Sequence, residues 1–196
     1  MAKNIVAFFG VNGVGKTIIS RTISALFSEV RYISGSGLLM KAFGDVTRDT
    51  LEKISHSEKM RVLEPAFQIA FETCSSARFG VLDSHLVVPV RRDGTVMLEN
   101  IWSQSYAPYI TKAYMIVADP KDILARRAKD AQQHGRKRDL NLVHIERDQE
   151  TNLRIFEEVV QPMCGSRVIH NGCHDLDETI AAVKKELSEI FGNWVP

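Results

Sequence analysis

The sequence predicts an α/β fold of three layers, a five-stranded parallel sheet with helices on both faces. Short apolar runs of strand length alternate along the chain with longer segments of helical spacing, the pattern of strands joined by crossover helices. Several of those segments begin on helix-start signals. The first apolar run also passes directly into a glycine-rich loop, Gly10-Val11-Asn12-Gly13-Val14-Gly15-Lys16-Thr17, which in turn opens the first helical segment.

In chain order, Ile5 to Phe9 reads as a buried parallel strand. Thr17 to Phe27 carries Ile19, Ile23, Leu26 and Phe27 near helical spacing. Val30 to Ile33 is a short strand, followed by Ser34-Gly35-Ser36-Gly37 and the apolar turn Leu38-Leu39-Met40. Two charged helices follow, from about Thr47 to Ile54 and from about Glu58 to Ala77. Ser55-x-x-Glu58 introduces the second as a capping box, and Pro65 predicts a kink or boundary within it. Phe79 to Asp83 is a strand ending in a carboxylate, and Ala113 to Ala118 is the fourth strand. Asp119-Pro120 supplies a cap and first residue for a helix to about Gln133. A basic stretch precedes a helix from about Leu142 to Val160, then a strand at Arg167 to His170 and a helix from about Leu176 to Phe191, with Asp175-x-x-Glu178 as its cap.

The loop carries the chemistry. G-x-x-x-x-G-K-[ST] after a strand and before a helix is a phosphate cradle. Its glycines allow backbone angles that converge amide N–H groups on phosphate oxygens, and the helix N-terminus adds its positive dipole end. Gly10 to Thr17, with Ile18 following, is therefore the expected binding segment for ATP. Lys16 is placed for the β- and γ-phosphates, and Thr17 for Mg²⁺. Ligands of an open parallel sheet gather at the carboxyl ends of its strands. Asp83 ends its strand there and is the expected partner of Thr17 on the metal, and His85 could orient a water or a phosphate.

Six basic residues fall between Arg126 and Arg138. Gly135 is a candidate helix end, which places Arg136 and Arg138 on a short lid able to stabilise charge on a transferring phosphoryl group and to exclude water. Arg126 is a further catalytic candidate from the same stretch.

Length fits one domain over residues 1–196. With Lys+Arg 25 against Asp+Glu 24, the net charge of +1 gives no reason to expect nucleic-acid binding. Cys74, Cys164 and Cys173 are too few and oddly counted for a disulfide framework, which suits a reducing compartment; the expected location is cytoplasmic. The first apolar run is too short for a signal peptide or membrane span. His170-x-x-Cys173-His174 lacks standard zinc spacing.

Taken together, the phosphate loop, Gly35-Ser36 before a helix, Lys59-Met60-Arg61, Leu82-Asp83-Ser84-His85, Ala118-Asp119-Pro120 and the basic stretch resemble adenylate kinases of the archaeal type, within the P-loop NTPase fold. The order is also similar to the adenylate kinase-like ATPases of ribosome assembly. The resemblance implies a core of residues 1–35, 79–133 and 142–196, a helical flap over about 36–78 that binds a nucleoside monophosphate, and a short lid over about 134–141. It implies roles for Ser36 and Arg61 at the monophosphate, and for Asn171 at the adenine edge. One departure follows His85. The arginine that the family carries there is displaced by Val87-Val88-Pro89-Val90, leaving Arg91 or Arg92 to take its place in substrate binding. The expected activity is transfer of the ATP γ-phosphoryl group to AMP or a similar monophosphate. A regulatory ATPase acting on a protein or ribonucleoprotein partner, and a kinase for another small metabolite, stand as alternatives.

Overall fold

The computed structural model describes residues 5–27, 29–76, 79–92, 95–135, 138–172 and 176–191. Five parallel strands form the main sheet: β1 (Ile5–Phe9), β2 (Val30–Ser34), β3 (Phe79–Asp83), β6 (Ile110–Val117) and β7 (Gly165–His170), in the order β2-β3-β1-β6-β7. The alternation of side chains along β1 divides the core. Ile5, Ala7 and Phe9 face Leu63, Phe67 and Phe71 of α4 (His56–Ser76) and Phe156. Val6 and Phe8 face the opposite layer, made by α1 (Lys16–Leu26), α5 (Pro120–His134), α6 (Leu142–Ile155) and α7 (Leu176–Phe191) through Ile19, Ile23, Ile123, Ile145, Val183 and Leu187. Every β1 side chain is thus buried, as a strand covered on both faces requires.

Helix α2 (Gly35–Ala42) and α3 (Arg48–Lys53) connect β2 to α4. The Ser55–Glu58 capping box forms, with Glu58 N donating to Ser55 Oγ at 3.3 Å and Ser55 N to Glu58 Oε2 at 3.2 Å. The boundary expected at Pro65 does not appear, and α4 continues through it. Pro65 lies on the exposed side, where water can satisfy the carbonyl left without an N–H donor, while Leu63, Phe67 and Phe71 anchor the helix on the other. The helix expected to reach Val160 changes to a wider π turn over Phe156–Val160. Asp175, the cap expected for α7, lies outside the described residues.

The sequence reading had no counterpart for the second, two-stranded sheet, an antiparallel hairpin of β4 (Val87–Arg92) and β5 (Thr95–Asn100). The hairpin joins the core through buried Val87, with Leu98 packed against the same cluster, and through hydrogen bonds: Val87 N donates to Asn152 Oδ1 at 3.3 Å, and Ile101 N to Leu86 O at 2.8 Å. Among the described residues, no helix is long and apolar enough to cross a membrane.

Candidate active site

The loop after β1 is shaped from outside by arginines of α5. Arg127 Nε donates to Asn12 O at 2.9 Å, and Arg126 Nη1 reaches Gly13 O and Val14 O, both at 3.4 Å. Asn171 Nδ2 donates to Val14 O at 2.7 Å. Because C=O and N–H point in opposite directions across a trans peptide, carbonyls drawn outward turn the following amide N–H groups inward, which makes an anion cradle. Glycines make this path sterically possible, most clearly at its two tightest points. Gly10 has φ +143°, and a Cβ there would stand 2.5 Å from the Ile116 carbonyl oxygen; Gly15 has φ +99° and packs directly against the Asn171 amide.

Lys16 is buried, its Nζ 3.4 Å from Val11 O and 4.0 Å from Asp83 Oδ1. Burial lowers its pKa to about 8, against the opposing pull of Asp83 and with some help from the charges of Arg138 and Arg127. Thr17 donates its hydroxyl to Asp83 Oδ2 at 2.6 Å. A hydroxyl and a carboxylate joined at the mouth of an anion cradle are hard oxygen donors that suit Mg²⁺ beside bound phosphates. His85 Nδ1 donates to the Gly10 carbonyl at 2.8 Å, since a carbonyl can only accept. Burial, reinforced by the charge of Lys16, holds the His85 pKa well below the usual histidine range.

A cavity of about 730 Å³ opens from Lys16, Thr17 and Asp83. The α2–α4 segment forms one wall and the β4–β5 hairpin another, through Val88, Pro89 and Val90. Ser36 and His85 line it, and Arg138 reaches it while paired with Asp130 at 3.1 Å.

Other candidates stand elsewhere. Arg126 is not aimed at the cavity: besides the loop carbonyls, its Nη2 donates to Asn171 O at 3.2 Å and Gly172 O at 3.1 Å, so the guanidinium braces the cradle. Asn171 is likewise a strut rather than an open edge for adenine. Its backbone N donates to Val117 O at 2.8 Å, and its carbonyl is taken by Arg126. Arg61 lies exposed on α4, away from the cavity lining, because the inward positions of that helix go to Met60 and Leu63. Ile18 is 56% exposed on the outer side of α1. Arg136 and the side chain of Arg91 lie outside the described residues.

The sequence reading passed over Arg21, Tyr32 and Arg48, all of which line the cavity. Arg48 donates to Ser36 Oγ at 3.3 Å. For Tyr32 the signal was available: it alternates with Ser34 at the carboxyl end of β2, the end where ligands gather.

The family described as AAA domain matches residues 9–146 of this chain. No curated protein matches it. Among solved structures, TT1252 from Thermus thermophilus is 15% identical with a TM-score of 0.59, covering 98% of this chain and 100% of that one. Shikimate kinase from Acinetobacter baumannii, in complex with shikimate, is 13% identical with a TM-score of 0.56, covering 98% and 96%. An unliganded sugar kinase from a Janibacter species is 12% identical with a TM-score of 0.54, covering 95% of each chain. At such identities the likeness is one of fold, the three-layer α/β P-loop NTPase fold.

Proposed function

The chain belongs to the family described as AAA domain, and from that premise we propose that it is an ATP-dependent phosphotransferase acting on a small-molecule acceptor. The observation that carries this reading is the junction of cradle and cavity: Lys16, Thr17 and Asp83 stand at the head of a walled space of about 730 Å³, large enough for an acceptor beside the donor phosphates. A nucleoside monophosphate such as AMP is the finer reading. Ser36 stands in the cavity as that acceptor needs, and Arg48 and Lys59 supply positive charge where Arg61 does not.

In this reading the inward amides and Lys16 hold the β- and γ-phosphates, with Thr17 and Asp83 to hold Mg²⁺. Mg²⁺, when bound, neutralises charge developing on the phosphate oxygens. Arg138 faces the same end of the cavity and stabilises charge on the transferring group. The α2–α4 segment and the hairpin hold the acceptor in line and keep water away. No side-chain nucleophile is required.

His85 favours a second reading, ATP hydrolysis in the service of a macromolecular partner. With Nδ1 committed to Gly10, the remaining nitrogen of the neutral ring is a hydrogen-bond acceptor suited to a water. One experiment separates the two: the purified chain with Mg-ATP, nucleoside monophosphates and small hydroxy acids including shikimate, followed by ³¹P NMR. A diphosphate or phosphate ester is the expected product. Free phosphate, released at a rate no acceptor alters, overturns the kinase reading.

A further inference from the structure

Asp83 is held from two sides. The Thr17 hydroxyl donates to Oδ2 at 2.6 Å from the phosphate loop, and the Tyr32 hydroxyl donates to the same oxygen at 3.0 Å from β2. Two donors engage both lone pairs of Oδ2. Oδ1 is left on the side of Lys16, 4.0 Å from its ammonium. The tyrosine is itself constrained. Its strand pairs with β3 in a register that sets Ser34 beside Asp83, and the Arg21 guanidinium lies over its ring, 5.5 Å from the centroid.

A carboxylate with one hydrogen bond can rotate and exchange its oxygens. Two donors converging on one oxygen from different elements stop that rotation and decide which oxygen stays available. Thr17 alone cannot do so, because a single hydrogen bond leaves the carboxylate free to turn about it.

We propose that Tyr32 is a positioning residue for the divalent-cation site: its hydroxyl fixes the rotamer of Asp83, so that Oδ1 remains available to the cation or to a water of its shell. The inference rests on the phosphotransferase reading only in requiring a divalent cation bound with nucleotide. Partners that orient a metal's ligands typically change metal affinity about 10- to 100-fold when removed.

The test uses Tyr32→Phe, which keeps the ring and loses the hydroxyl, together with Asp83→Asn and the double variant. Uptake of Mn²⁺ by the complex with ADP is followed by electron paramagnetic resonance of the free ion. Tyr32→Phe is expected to weaken Mn²⁺ uptake about 10-fold, with metal-free ADP affinity and Tm unchanged. In the Asp83→Asn background the same substitution is expected to change nothing further, an outcome that a merely structural role for the hydroxyl does not produce. Wild-type uptake in Tyr32→Phe overturns the inference alone, as does an equal loss in both backgrounds. A wild-type chain that takes up neither ADP nor Mn²⁺ overturns the phosphotransferase reading with it.

Discussion

Substituting Gly15 by alanine perturbs the cradle at its tightest point, and the structure supplies the magnitude. The residue sits at φ +99°, outside the regions an L side chain adopts at low cost, and holding alanine there costs about 1–3 kcal/mol. The new Cβ would also meet Asn171 Nδ2 at a contact that no real Cβ tolerates. Asn171 must therefore swing away. Doing so breaks its 2.7 Å bond to Val14 O and leaves a buried group unpaired, for about 1–3 kcal/mol more. The expected total is about 2–6 kcal/mol in urea-induced unfolding, with ADP affinity falling in calorimetry. The two parts separate in a double-mutant cycle. In an Asn171→Gly background the collision disappears and Gly15→Ala retains only the backbone cost, so the coupling is about 1–3 kcal/mol. A cost below about 0.5 kcal/mol, or the same cost in both backgrounds, refutes the assignment of Asn171 as the strut of this turn.

The Lys16 pKa near 8, against its ordinary 10.5, gives two pH effects. Phosphate requires the ammonium form, so ADP affinity is expected to fall about tenfold per pH unit once pH passes 8, and a flat calorimetric profile refutes this. Between about 8 and 10.5 the unfolded chain binds the extra proton, so this group's contribution makes the ligand-free fold more stable as pH rises. Arg126→Ala strips donors from the carbonyls of Gly13, Val14, Asn171 and Gly172, and is expected to weaken ADP binding about tenfold and lower stability by about 1–3 kcal/mol. Unchanged ADP affinity by calorimetry removes its bracing role. Arg48→Ala should raise the acceptor KM while Arg61→Ala leaves it unaltered in steady-state kinetics; the reverse outcome returns the acceptor site to Arg61.

Strands and helices with continuous apolar patterning were legible, because burial on one face or both leaves a periodic trace. The hairpin left a weaker one. Pro89 argues against a strand, although an edge strand tolerates it, and Asp93-Gly94 between two runs rich in β-branched residues was the usable signal. At Pro65 the boundary allowed by a local rule about a missing N–H did not form, because Leu63, Phe67 and Phe71 packed on the sheet carry the helix through it.

The same division runs through the site. Gly10 to Thr17 could be read in one dimension because a strand, a glycine turn and a helix N-terminus are contiguous in the chain. Asp83 followed from its position at a strand end. What surrounds them could not be read this way. Arg126, Arg127 and Arg138 belong to one basic stretch with similar chemistry, yet the first two, on α5, brace the loop, while Arg138, beyond the end of that helix, pairs with Asp130 and reaches the cavity. Tyr32 comes to Asp83 across a distance of 51 residues, and Arg48 to Ser36 across 12. The sequence by itself determined the strand, glycine loop and helix start, whose order is local. Only the tertiary structure decided which arginines line the cavity and which hold the loop, because those positions depend on side chains brought together by the sheet and the helices folded over it.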